Sequence, residues 1–262
     1  MADFIISNSM QAQSMSISDL AAATGVAEAT ISRFCRRLNY SNFAAFKLAI
    51  ATSAASLPGF ANPLTGEVTG EDTIPALAHK LAAANVEAIL ESEALISPDA
   101  IRSAADVLLR ADKVLCMGQG GSMLLAQEAA HLFSTSFSGY FSVIDSHMQV
   151  IYTSQLSSKD AILYFSYSGT TTGLMDVLRI AKARGAAVVL VTRYPNSPGA
   201  LQADIVLECG SRESPLQLGS IPARVAQLYL MDILFSEISR RDLEGCKQRR
   251  SRVADALSEK HV

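Results

Sequence analysis

Ala161-Ile162-Leu163-Tyr164-Phe165-Ser166-Tyr167-Ser168-Gly169-Thr170-Thr171-Thr172-Gly173 is the stretch on which the reading of this chain turns. The apolar run from Ala161 to Phe165 reads as a buried strand, and Leu174 to Ala183 repeats apolar residues at helical spacing. Strand, hydroxyl-rich turn and helix therefore follow one another. The N–H groups of the first helical turn, at the positive end of the helix dipole, then face whatever lies above the strand end. A helix cap needs one hydroxyl, whereas this turn carries Ser166, Ser168, Thr170, Thr171 and Thr172. The surplus predicts an anion site, and phosphate is the anion it suits.

Working outward, the same alternation recurs from Lys113 onward. Val114 to Met117 reads as a first strand, Gly118-Gln119-Gly120-Gly121-Ser122 as its turn, and Met123 to Phe133 as a helix. Tyr140 to Ile144 is a second strand, and Asp145-Ser146-His147-Met148 opens the helix after it. Ala187 to Thr192 and Ile205 to Leu207 supply the fourth and fifth strands. Such alternation implies an α/β fold with a parallel sheet covered on both faces and ligands at the C-terminal strand ends. Both hydroxyl-bearing turns fall at such ends. A dinucleotide fingerprint is not met, because Met123 and Leu124 stand where a third small residue is needed. No Lys follows either glycine turn, so a Walker-type phosphate loop is excluded.

Helices flank this region. One spans Ile74 to Leu95 with Leu77, Leu81, Val86, Ile89 and Leu90 as its apolar side, and another runs from Ser97 through Leu109. A last long helix, from Ile221 or Pro222 to Ser239, is apolar nearly all round and is expected to be buried on more than one side. The closing segment, with Arg240, Arg241, Lys247, Arg249, Arg250 and Arg252 among acids, reads as a solvated helix end.

The first fifty residues behave differently. Ser16-Ile17-Ser18-Asp19 opens a helix that Thr24-Gly25-Val26 breaks, and Glu28 to Leu38 resumes helical periodicity with Ile31, Phe34, Cys35 and Leu38 on one stripe. Two short helices joined by a glycine turn make a helix-turn-helix pattern. The opposite face carries Ala29, Arg33 and Arg36, flanked by Thr30, Ser32 and Arg37. Thr30, Ser32 and Arg33 are candidates for base edges, and Arg36, Arg37 and Lys47 for backbone phosphates. A further helix from Ser41 as cap completes the unit with Phe43, Phe46 and Leu48. Leu57 to Gly66 holds two Pro and two Gly without periodicity and reads as a linker.

With 262 residues, 49% hydrophobic and 18% charged, the chain can bury one large core and one small one. Its longest apolar runs are far below the roughly 20 residues that span a bilayer, which predicts a cytoplasmic protein without a membrane partner. Cys35, Cys116, Cys209 and Cys246 are scattered without metal-ligand spacing. They read as packing residues, and neither metal nor cofactor is expected.

Ala27-Glu28-Ala29-Thr30-Ile31-Ser32-Arg33-Phe34-Cys35-Arg36-Arg37-Leu38, with Phe43-Ala44-Ala45-Phe46-Lys47, resembles the helix-turn-helix of RpiR-type bacterial transcription regulators. Gly118 to Ser122 and Ser166 to Thr171 resemble the two phosphosugar loops of the SIS (sugar isomerase) domain those regulators carry. The resemblance implies a helix-turn-helix domain over residues 1–56, a linker over 57–72, and a doubly wound, flavodoxin-like SIS domain over 73–262. It implies a regulator of a double-stranded operator whose effector is a phosphorylated sugar. By position, Ser122, Ser166, Ser168 and Thr171 are its phosphate contacts, within a site that also takes in Gly118, Gly120, Tyr167, Gly169 and Thr170. Glu213 resembles the acid that SIS isomerases place near the sugar. Operators of such proteins mirror a two-fold axis, so a homodimer or homotetramer is expected.

Two departures stand out: Ala27 replaces the usual Ser cap, and the chain begins later than the family norm. Incomplete packing of the first unit is the expectation. The competing reading is a phosphosugar isomerase or lyase using the same pocket, with Glu213 and His147 as the available acid–base residues.

Overall fold

A computed structural model describes residues 1–55, 68–211 and 220–258. Among these, five short helices come first: α1 (Ala2–Ser7), α2 (Ser9–Ala12), α3 (Ile17–Thr24), α4 (Glu28–Arg37) and α5 (Phe43–Ala55). Then follow α6 (Ile74–Leu95), α7 (Pro98–Arg110), β1 (Lys113–Gly118), α8 (Ser122–Ser134), β2 (Tyr140–Val143), α9 (Ser146–Ser154), β3 (Asp160–Phe165), α10 (Thr172–Arg184), β4 (Ala187–Thr192) and β5 (Ile205–Glu208). Helices α11 (Ile221–Arg241) and α12 (Leu243–Ser258) close the chain. Residues 56–67, where most of the expected linker falls, lie outside the described ones.

The sheet is wholly parallel in the order β2-β1-β3-β4-β5. Its inner strands β1, β3 and β4 are nearly continuous apolar runs because both faces are covered, and alternate residues go to opposite layers. Cys116, Leu163, Phe165 and Val189 pack with α7, α8 and α11, whereas Met117, Ile162, Tyr164 and Leu190 pack with α10. The chain leaves β1 toward β2 on one side and returns to β3 on the other. The switch point thus lies between β1 and β3, where a doubly wound sheet opens a crevice.

The first unit has its own core of Ile5, Ala12, Leu20, Ile31, Cys35 and Phe46, against which Met1, Phe4 and Phe43 pack. Contrary to the expected incomplete packing, α1 and α2 cover that core. Gly25 takes the left-handed conformation that ends α3, and Ser16 and Asp19 form a reciprocal capping box at its start. Ala27 contributes no side-chain cap to α4, but Ser18 Oγ donates to Glu28 Oε1 at 2.6 Å and holds the same end. Asn42, rather than the expected Ser41, caps α5 by accepting from the Ala45 N–H at 2.8 Å.

One further expectation is corrected. On α6 the buried residues are Ala88 and Ser92, whose small side chains allow α11 to approach, while Leu81, Val86 and Leu90 are exposed. The closing arginines end α11 and continue into α12, a largely exposed helix as expected, although two of them also pack on aromatic rings. Arg249 lies over the Phe137 ring (5.1 Å), reaches Asp242 Oδ2 (2.6 Å) and donates to Ser136 O. Arg250 lies over Phe235 (5.2 Å) and donates to Ser136 Oγ (2.7 Å). Periodicity does not register cation–π packing, which spends the apolar face of a guanidinium on a ring.

Candidate functional site

The turns after β1 and β3 stand side by side at the switch point, because those strands are neighbours in register. Each is held in place by its surroundings. Gln149 is fully buried and donates from Nε2 to Gly118 O (3.0 Å) and Val143 O (2.8 Å), tying the ends of β1 and β2 together. Thr192 Oγ1 and the Arg193 N–H both donate to Tyr167 O, at 3.1 and 3.0 Å, and so moor the second turn to β4. A Cβ on Gly169 would sit 2.0 Å from Ser197 Oγ, and its φ of +61° is one that other residues rarely adopt. A Cβ on Gly118 would fall 2.5 Å from the Ser122 carbonyl oxygen. Both turns need glycine to come this close.

Between them lies a cavity of about 870 Å³, within the range of small-molecule sites. Ser122, Ser166, Ser168, Thr170 and Thr171 line it. Thr171 is the N-cap residue of α10 but makes no side-chain cap bond, so the amides of that first turn are left uncapped. At α8, by contrast, Ser122, Met123 and Leu124 already donate to the carbonyls of Gln119, Gly120 and Gly121. That helix offers its dipole and the Ser122 hydroxyl rather than bare amides.

Three buried polar atoms of the cavity wall have no hydrogen-bond partner: Thr171 Oγ1, Arg224 Nε and Gln227 Oε1. The Tyr164 phenol feels the Thr171 hydroxyl, but no bond of good geometry joins them, and Tyr164 OH instead faces Gln149 Oε1 at 3.4 Å. Desolvation pushes that phenol up to about 12. Unpartnered buried polar atoms cost stability unless something satisfies them. Here they offer a hydroxyl, a cationic donor and a carbonyl acceptor to one space, a set that can hold a polar anion. Arg224 and Gln227 are residues the sequence reading missed. Their signal was two polar residues three apart in the otherwise largely apolar first half of that helix, which places both on one face.

The remaining expected site residues divide. Gly118, Gly120, Tyr167 and Gly169 shape the two turns. Glu213 lies outside the described residues. His147 does not reach this cavity but lines a separate one beside Asp145 and Asp176. Among the described residues, no carboxylate or imidazole lines the hydroxyl-rich cavity.

In the first unit, Arg33, Arg36 and Arg37 are exposed along α4, with Arg33 Nη2 donating to Thr30 Oγ1 at 3.2 Å. Ser32 and Lys47 are placed otherwise, since both line the 870 Å³ cavity. The Lys47 ammonium donates to Met15 O (2.9 Å) and lies 5.6 Å from the Phe43 ring centre. Burial pushes its pKa below the usual lysine range, and Asp19 offsets part of that shift. The two units meet here: the Tyr194 hydroxyl donates to Ser14 O, and the Tyr194 ring packs edge-on to Tyr167 at 5.8 Å.

A helix-turn-helix unit is thus joined to a doubly wound α/β domain with a hydroxyl-bearing crevice at its switch point. Residues 1–57 match the helix-turn-helix domain of the rpiR family, and residues 107–237 match the SIS domain. An HTH-type transcriptional regulator of Caldanaerobacter subterraneus subsp. tengcongensis is 30% identical over 261 residues, covering 100% of this chain and 92% of that protein. HexR of Pseudomonas aeruginosa is 29% identical over 240 residues, 92% of this chain and 83% of its own. The solved structure of Vibrio vulnificus NanR, complexed with ManNAc-6P, matches with a TM-score of 0.87 at 23% identity, covering 100% of this chain and 92% of that one. At that identity the likeness is one of fold. The chain belongs to the RpiR family of helix-turn-helix transcriptional regulators with a SIS domain.

Proposed function

We propose that this regulator binds a phosphorylated sugar in the crevice between β1 and β3 and that occupancy changes its grip on an operator. The observation that carries the reading is the group of three unpartnered buried polar atoms, Thr171 Oγ1, Arg224 Nε and Gln227 Oε1, on one hydroxyl-lined cavity. The phosphate sits among Ser122, Ser166, Ser168 and Thr171 above the uncapped start of α10, where amides and dipole favour an anion. Arg224 adds a cation to the same grip. The sugar hydroxyls face Gln227, whose oxygen accepts from them. That NanR binds a phosphosugar in a fold of the same kind supports the assignment.

Arg33, Arg36 and Arg37, exposed along α4, carry the operator contacts, with Thr30 beside them. Isomerase chemistry needs an acid–base group at the sugar, none of the described residues lining the cavity is a carboxylate or imidazole, and a helix-turn-helix unit has no part in such chemistry. A sensor is the better reading. The exposed side of α6, with Val86 and Leu90 more than half accessible, is the surface through which two copies pair.

The test is a thermal-shift panel of fructose 6-phosphate, glucosamine 6-phosphate, N-acetylmannosamine 6-phosphate and ribose 5-phosphate. Selective stabilisation by one of them, rising with its concentration, is expected from mass action. That ligand should also shift operator binding in a mobility assay without being converted. Turnover at enzymatic rates, or no stabilisation by any sugar phosphate, would reject the reading.

A further inference from the structure

We infer that the helix-turn-helix unit forms part of the effector site itself, with Lys47 and the N-terminus of α5 gripping the phosphorylated sugar from the side opposite the SIS turns. The inference rests on the phosphosugar reading above and assigns a direct ligand contact to the DNA-binding unit. One cavity is lined by both units: Ser122, Ser168 and Thr171 on one side, and Asn42, Lys47 and Ser32 on the other. It is not merely a gap between them. Gln227, only 2% exposed, presents an unpartnered carbonyl oxygen to it, and Arg224 an unpartnered N–H.

The first unit's wall is built for an anion. Lys47 is a largely buried cation with no ion pair among the described residues, and a backbone carbonyl takes one of its three N–H donors. Asp19 offsets only part of the cost of burying this cation, and an anionic occupant of the cavity would offset more of it. Beside it, Asn42 caps α5 by accepting from the Ala45 N–H, and Asn42, Phe43, Ala44 and Ala45 line the cavity, so the positive end of α5 opens on it. Helix dipoles of α5, α8 and α10 thus start at one space from two units. The occupant would lie against Tyr167, which packs on Tyr194, and Tyr194 is bonded to Ser14 of the first unit.

The coupling this produces is short. An occupant held by Lys47 fixes α5 and, through it, the orientation of α4. No chain of side chains across the SIS domain is required. Because coupling between two binding equilibria is reciprocal, operator binding must change sugar-phosphate affinity by the same factor.

The experiment is calorimetric titration of the full chain with the four sugar phosphates named above, in wild type, K47M and the double variant S168A/T171V. For whichever sugar phosphate binds, K47M is expected to weaken binding by roughly tenfold or more, the loss of one charge-assisted hydrogen bond, and the double variant to abolish it. Wild-type affinity in K47M with loss in the double variant would overturn this inference and leave the phosphosugar reading standing. Wild-type affinity in both variants, or no binding by the wild type, would overturn both. As a readout that needs no variant, acetylation of Lys47 followed by mass spectrometry should slow when the sugar phosphate is present, with exposed Lys113 and Lys182 as internal references. Equal rates at Lys47 with and without it would also overturn the inference.

Discussion

Replacing Thr171 by Val separates stability from function at the crevice. The two side chains have nearly the same shape and both branch at Cβ, so backbone preference and packing at this N-cap position are retained. What disappears is a buried hydroxyl that has no hydrogen-bond partner and caps nothing. Leaving such a group unpaired costs about 1–3 kcal/mol, so the ligand-free variant should be more stable than the wild type by about 1 kcal/mol. For a domain of this size that is a rise in melting temperature of about 2–4 °C. If the proposed site holds, the sign reverses in the bound state, because the lost hydroxyl would serve the phosphate, and a hydrogen bond to a charged group contributes about 1.5–3 kcal/mol. Affinity should therefore fall by roughly tenfold to a hundredfold. Thermal scans without and with sugar phosphate read both effects in one experiment: the melting curves should cross over. A variant that is less stable when empty and equally stabilised by ligand would refute the reasoning, since Thr171 would then be a structural residue.

Other outcomes follow from the same geometry. R33A and R36A should each weaken operator binding and lower its salt dependence, while calorimetry shows unchanged sugar-phosphate affinity, because both side chains are exposed on α4 away from the crevice lining. G169A should lower stability by more than 1 kcal/mol in chemical denaturation. The left-handed backbone costs an L-residue about 1–2 kcal/mol, and the new Cβ meets Ser197 Oγ at 2.0 Å. V86E with L90E should reduce the molar mass seen by light scattering, with far-UV circular dichroism unchanged; an unaltered mass would move the subunit interface elsewhere. R250A should destabilise the chain by about 1 kcal/mol through loss of the Phe235 and Ser136 contacts, with sugar-phosphate binding intact.

The alternation of apolar runs with helical spacing was enough to place all five strands and to put Gly118 to Ser122 and Ser166 to Thr171 at strand ends, because those features are local and periodic. The hydroxyl surplus after Phe165 pointed to an anion for the same reason: helix starts and their donors are encoded within a few residues. The Arg33, Arg36 and Arg37 face of α4 was legible from a 100° rotation per residue. Tertiary structure alone decided the strand order that makes β1 and β3 neighbours, since pairing between parallel strands joins residues some fifty positions apart and leaves no local trace. It alone brought Arg224 and Gln227 from α11 into the crevice, and turned Lys47 and Ser32 from the expected operator face toward the same cavity. The reason is the same in each case: which face of an amphipathic element meets which neighbour is settled by long-range packing, and periodicity says only that such a face exists.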